Sequence, residues 1–276
     1  MAGVSSESLS AALADLEAML PTASLSLAGE LFGVLGVLDG SAGLRRALTD
    51  PTREGNEKSA LVHSLLDGKA SSDAVEITAK LAALRWAGAR DISDALETLA
   101  STVAIAVAEQ GNGIDGGVGG LEKLENDLFA FKGTVDSDHE LQAALTDPQA
   151  TASAKRTLAL RLVPNASAEA QLLIGQAAEA PRGLRPTALV EKFAELAARR
   201  QKRWIAEVVV ARPLSGEQTE RLRTGLNRLY GRELKLNTTV DPSLVGGLRV
   251  TVGDEVIDAS TVTRLGELRR QFATQA

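Results

Sequence analysis

The chain has no cysteine, so disulfides and thiolate metal sites are excluded. Its two histidines, His63 and His139, lie far apart in sequence and neither has a second metal-ligating partner nearby, so a histidine-based metal site is not expected. Aromatic residues make up only 3% of the sequence. There is no cationic surplus: the formal net charge is -6, which argues against a dedicated nucleic-acid binder, because neutralising phosphates needs a positive surface. No long apolar run is present. The longest apolar-looking stretch, Leu25–Leu38, is too short to span a bilayer and contains Glu30. The first residues, Met1-Ala2-Gly3-Val4-Ser5-Ser6-Glu7, lack the basic segment of a secretory signal. The expectation is a soluble intracellular chain that reaches a membrane only through a partner.

What remains is rich in helix formers. Hydrophobic residues make up 44% of the 276 positions, mostly Ala, Leu and Val in long stretches without proline. The length suits about two domains. Ala47-Leu48-Thr49-Asp50-Pro51 recurs as Ala144-Leu145-Thr146-Asp147-Pro148, an offset of 97. The same offset, without gaps, pairs Leu31-Phe32 with Leu128-Phe129, Asp39 with Asp136, Leu44 with Leu141, Lys58 with Lys155, Leu61 with Leu158 and Leu65 with Leu162. A gapless series in matching helical phase reads as an internal duplication of a helical unit.

Within the unit, a helix ends near Leu48, Asp50 is expected to cap the next helix with Pro51 at its first position, and Leu61, Leu65 and Leu66 form that helix's apolar face. Asp67-Gly68 should stop it and Ser71-Ser72-Asp73 restart the chain as a helix carrying Val75, Leu81 and Leu84. In the second copy Pro164-Asn165 stops and Ser167 restarts. Ahead of the repeat, Leu9, Leu13, Leu16 and Leu20 form a stripe on a first helix ended by Pro21, and Leu96, Leu99, Val103 and Val107 mark another helix up to about Gln110. Some six helices therefore open the chain, followed by a second set from about Leu121 to Trp204.

The C-terminal third changes character. Ala206–Ala211 reads as a strand leading into Leu214-Ser215, a helix follows through Leu222, Leu226 and Leu229, and Gly231–Leu236 reads as a strand. Leu248, Val250 and Val252 alternate with Arg249 and Thr251, Gly253-Asp254 reverses the chain, and Val256-Ile257 completes a hairpin. Gly246-Gly247 permits positive φ at the strand entrance. Asp258 or Ser260 can cap a last helix with the stripe Val262, Leu265, Leu268 and Phe272. This run from Val240-Asp241 to Ser260 resembles the C-terminal signature of the F-type ATP synthase delta subunit family, the oligomycin-sensitivity-conferral subunit of mitochondria. The helical pattern before it is similar to that family's six-helix domain, lengthened by about a hundred residues as in the long actinobacterial type.

The resemblance implies a mainly α protein: an N-terminal six-helix bundle (1–112), a duplicated helical segment (113–204) and a small α/β domain with a β-hairpin (205–276). It implies a non-catalytic stator connector without cofactor. One copy per complex would hold the alpha subunits of the catalytic head and the b-type peripheral stalk subunits, at the cytoplasmic side of the cell membrane. Leu9, Leu13, Leu16, Val75, Leu81 and Leu84 are the residues expected to grip an alpha-subunit helix. Asp241, Gly246, Gly247, Asp258, Ser260, Leu265, Leu268 and Phe272 carry the C-terminal motif or the stalk contact.

Two other signals were weighed. Gly111-Asn112-Gly113-Ile114-Asp115-Gly116-Gly117 matches G-x-G-x-x-G, but the second strand and the acidic residue of a dinucleotide fold are missing, so it reads as a linker. The basic run Arg199-Arg200-Gln201-Lys202-Arg203 with Trp204 supports the alternative of a helical adapter or nucleic-acid-associated protein. Against the acidic whole, a solvated helix face is favoured and no nucleic-acid partner is expected.

Overall fold

The computed structural model describes residues 3–111, 118–202, 205–230, 234–241, 244, 246–253 and 255–258. Among them are twelve α-helices and four strands, so the chain is mainly helical with a small mixed sheet near its C-terminus. It divides into two compact units, Met1–Ala197 and Ala198–Ala276.

The first unit begins with α1 (Val4–Glu17), a 3-10 turn (Leu20–Thr22), α2 (Leu25–Gly40), α3 (Ala42–Thr49), α4 (Gly55–Leu66), α5 (Ser72–Ala83) and α6 (Asp91–Gln110). Helix α6 is the axis of the unit. Ile92, Ala95, Leu96, Leu99, Ala100, Val103 and Ala104 are at most 1% exposed, and Ser93, Glu97 and Ser101 are buried too. A helix covered over most of its circumference, with the line Asp94, Thr98 and Thr102 half-buried, must be largely surrounded by other helices. Helix α2 lies along it, α1 and α5 contact it, and so do α7 (Val118–Asp136) and α10 (Ala168–Glu179) from the second set. Its alanines let neighbouring backbones come close, a role that the expected stripe of Leu96, Leu99, Val103 and Val107 does not capture.

The second set is completed by α8 (His139–Thr146), α9 (Ala152–Leu162) and α11 (Pro186–Lys202). It matches the first in local chemistry. Helices α3 and α8 have eight residues each, and α5 and α10 twelve each. Glu30 Oε2 accepts a hydrogen bond from Ser71 N at 2.9 Å, and Asp127 Oδ2 accepts one from Ser167 N at 2.7 Å. Each of those serines caps its helix, accepting from Ala74 N and Ala170 N. Asp50 Oδ1 accepts from Thr52 N at 2.9 Å, and Asp147 Oδ1 from Gln149 N at 2.8 Å.

That last pair corrects an expectation. Asp50 does not cap α4 and Pro51 is not its first residue: α4 starts at Gly55, and Asp50 closes a turn on its own chain two residues on. Gly55 is required there, because a Cβ would sit 2.9 Å from the Ala83 carbonyl oxygen. The stops at Asp67-Gly68 and before Pro164 are found as expected, with Gly68 at φ 75. Helix α1 ends at Glu17, short of Pro21, which opens the 3-10 turn instead.

Helix α11 closes the unit with Leu189, Val190, Phe193 and Ala194 buried, and Phe193 meets Phe32 of α2 with ring centroids 6.5 Å apart. Phe129, which stands 97 positions after Phe32, is instead 48% exposed.

The second unit holds β1 (Ile205–Val210), α12 (Gly216–Tyr230), β2 (Lys235–Val240), β3 (Leu248–Val252) and β4 (Glu255–Asp258). The sheet order is β2-β1-β3-β4, with β1 parallel to β2 and antiparallel to β3, and β3 antiparallel to β4. Helix α12 makes the crossover that a parallel pair needs. Ser215 and Gln218 open it with a reciprocal capping box at 3.2 and 2.9 Å. Ala206, Val208, Val210, Val250 and Val252 form the buried sheet face, together with Leu226 and Leu234. The alternation read from Leu248 to Val252 and the hairpin are as expected. Two details differ: β2 begins at Lys235, later than Gly231, and Leu229 is 66% exposed, so α12 packs through Leu222 and Leu226.

Leu96→Ala should lower the unfolding free energy by about 2–5 kcal/mol, as for a fully buried leucine, while Leu229→Ala should change it by less than about 0.5 kcal/mol; urea unfolding measures both. In α7, burial and then the neighbouring Glu122 raise the Glu125 carboxyl above its ordinary 4.5. The native state then holds this proton more tightly than the unfolded chain, so the contribution of Glu125 to stability falls as pH rises through 4.5 toward the raised value. Glu125→Gln should therefore gain on the parent as pH rises, in thermal melts taken between about pH 4 and 7. A gap independent of pH would contradict this account.

Candidate functional site

No group of three or more His, Asp or Glu side chains able to hold a metal occurs among the described residues. The one large cluster of buried charge serves packing. Arg182, at φ 54 in the loop between α10 and α11, reaches Asp39 of α2 at 2.6 Å, Asp94 of α6 at 2.8 Å and Glu97 of α6 at 3.2 Å. Lys192 of α11 meets the other oxygen of Glu97 at 2.7 Å. Burial opposes the charge on Arg182, but the hydrogen bond to Asp39 and the charges of Glu97, Asp39 and Asp94 outweigh it and raise its pKa. Glu97 is 3% exposed and depends on both cations. Its geometry holds no nucleophile or general base; it ties the second helical set to α2 and α6.

The surfaces that could receive a partner are apolar. A narrow cleft between α1 and α5 is floored by Leu16, Ile77, Leu81 and Leu99, edged by Leu84 and Met19, and flanked by Asp15 and Lys80. Of the six residues expected to grip a helix, Leu16, Leu81 and Leu84 line this cleft. Leu9 and Leu13 are half-buried on α1 outside it, and Val75 is buried in the bundle. Sequence periodicity missed a wider groove, of about 400 Å³, between α2, α3, α4 and α5. Its walls are Val34, Leu38, Leu44, Leu48, Val62 and Leu66, and Val37 and Leu65 on its rim are 54% and 37% exposed. The signal was present in the face assigned to Leu61, Leu65 and Leu66, but a helical stripe does not say whether a neighbour covers it.

In the second unit, Asp241 donates its backbone N–H to Val210 O at 2.9 Å, and Gly246 and Gly247 take φ 145 and 83, conformations that favour glycine. Asp258 ends β4 and pairs with Arg249 at 3.2 Å across the hairpin. Ser260, Leu265, Leu268 and Phe272, the glycine loop from Asn112 to Gly117, Arg203, Trp204 and Asp254 lie outside the described residues. Arg199, Arg200 and Lys202 occupy the last turn of α11, where cations complement the helix C-terminus. No single helix among the described residues is long and apolar enough to cross a membrane.

Residues 106–272 match the family profile described as ATP synthase delta (OSCP) subunit. The chain belongs to the ATP synthase delta (OSCP) family. It is 66% identical to an ATP synthase subunit delta of Arthrobacter sp. (strain FB24) and 64% identical to one of Pseudarthrobacter chlorophenolicus, in each case over 99% of this chain and the full length of the relative. A subunit delta of Thermobifida fusca is 40% identical over 99% of this chain and all of its own length. The extra length is therefore shared by these delta subunits. The matched stretch holds the second helical set and the C-terminal unit.

Arg182→Met should destabilise the chain by about 3–5 kcal/mol, because it leaves the buried Glu97 and the two partly exposed aspartates without their shared cation. The midpoint of urea unfolding reads this out. A variant that also carries Glu97→Gln should recover part of the loss, and no recovery would show that Glu97 is not the strained partner.

Proposed function

We infer that this chain is the delta subunit of a proton-translocating F-type ATP synthase. It acts as a non-catalytic connector that holds the catalytic head to the peripheral stalk while the central shaft turns. Family membership over the whole length carries the reading.

The two partners are assigned by chemistry. An amphipathic helix docks in an apolar groove through anchors at helical spacing. The α1–α5 cleft, floored by the buried Leu16 and Leu81, edged by the half-buried Leu84 and with Leu9 and Leu13 beside it, is the proposed seat for an N-terminal helix of an alpha subunit. The C-terminal unit is the proposed seat of the b-type stalk subunits. Attachment at two points raises effective concentration, so moderate individual contacts give tight retention. One copy per complex at the cytoplasmic face of the cell membrane follows from this role.

We further propose that residues 1–112 and 113–204 are two copies of one helical unit and that 205–276 is the stalk-binding domain. The paired caps, turns and helix lengths support this. The family profile spans the second copy together with the C-terminal unit, which supports the second copy as the family's usual domain. The open cleft, however, is in the first copy.

Membranes stripped of the catalytic head should regain coupled ATPase only when the head and this chain are added together. In the full chain, Leu13→Glu with Leu84→Glu should weaken capture of an alpha N-terminal peptide by about tenfold or more, since two buried leucines supply roughly 1.5–3 kcal/mol each. Unchanged capture would move the alpha contact to the second copy or to the wider groove.

A further inference from the structure

A cavity of about 500 Å³ lies where the α3–α4 turn meets the α5–α6 loop. Three cations line it: Arg53, Lys58 and Arg85. Lys58 is 3% exposed, and its ammonium donates to the Leu84 carbonyl at 2.8 Å. Among the described residues no carboxylate lies within ion-pair distance of Lys58, Arg53 or Arg85. Burial of a lysine ammonium without a counter-ion is costly, and functional sites are where such groups occur. Here burial, and then the charge of Arg85, lower the Lys58 pKa, against a smaller opposing pull from Asp50, which makes no ion pair with it.

The N-terminus of α4 opens on the same space. Gly55 lines the cavity, and the N-cap residue Glu54 gives no side-chain hydrogen bond to the first turn, so the leading amides are left as donors. Glu54 is the only carboxylate among the lining residues and is exposed, so the lining is net positive. Arginine forks, an ammonium and free helix amides together suit a group with several anionic oxygens better than a single carboxylate.

The offset of 97 adds a comparison within the chain. Lys155 stands where Lys58 does, but it is only half-buried, and Arg53 is replaced by Ala150. Arg182 stands 97 positions after Arg85, but it is engaged by Asp39, Asp94 and Glu97, so the three cations of the first set are not repeated as a cluster in the second.

We propose that this cavity binds a phosphoryl dianion, either free phosphate or the phosphate of a nucleotide, and that the ligand braces the junction of α4 with the α5–α6 loop. Such a site would make the stability of the first helical set responsive to phosphate or nucleotide, independently of the stator role.

The test uses the full-length chain. Calorimetric titration and thermal melts are run with inorganic phosphate, ADP and ATP, against sodium chloride at equal ionic strength and against a dicarboxylate. Saturable binding of one equivalent with a rise in melting temperature is expected, and it should weaken about tenfold or more in Arg53→Ser with Arg85→Ser, whose native side chains are exposed and whose loss should leave the fold intact. Lys58→Met should bind more weakly still, and Lys155→Met should bind as the parent does. Binding of inorganic phosphate alone would identify the free ion as sufficient, and binding of nucleotides only would identify the carried phosphate. The proposal fails if neither ligand saturates, if chloride or the dicarboxylate gives the same shift, if the arginine variants bind unchanged, or if only an acidic peptide binds.

Discussion

Helix α6 leaves water little more than the half-buried line Asp94, Thr98 and Thr102, and the rest of the N-terminal unit follows from that constraint. A helix rich in Ala, Leu and Val over most of its circumference is stable only when helices surround most of it. The first set supplies α1, α2 and α5, and the second supplies α7 and α10. Two sets that repeat each other in sequence are thereby built around one shared helix. The small residues of α6, from Ala95 to Ala108, set how closely they approach.

Charge then fixes what apolar packing leaves free. Hydrophobic contact is not directional, so a loop laid against α6 could settle in several registers. Arg182 removes that freedom by meeting carboxylates on two helices at once, and Lys192 holds the far side of Glu97. Such a cluster adds little net stability, because Arg182 and Glu97 at its centre have been taken out of water. Its contribution is to position: it determines where the second helical set sits against the first.

Much of this was legible in the sequence, for reasons that can be given residue by residue. The caps Ser71 and Ser167, the stop at Asp67-Gly68, the alternation in Leu248–Val252 and the hairpin at Gly253 are local chemistry, and local chemistry is written in neighbouring residues. The Asp50 turn was misplaced because Asp before Pro serves equally as a helix cap or as a turn closing on itself, and only the distance to the α5 backbone decides between them. The cation cluster at Lys58, the Arg182 network and the wide groove at Val37 and Leu65 could not be read, since each joins residues from separate helices. The assignment of partner-facing leucines suffered the same way: Leu13 and Val75 look alike along a helix, and only packing distinguishes the half-covered from the core residue. The C-terminal strands gave the family resemblance, while the repeat gave the helical plan.

The sharing of α6 has a mechanical side. Two bundles joined by a linker would give way one after the other under load, each at its own modest force. Helices interleaved around a common axis cannot be peeled apart in sequence, because pulling on either set loads the same central rod. A part that must hold still against a turning shaft is better served by that arrangement: it gains stiffness by lengthening without gaining a hinge.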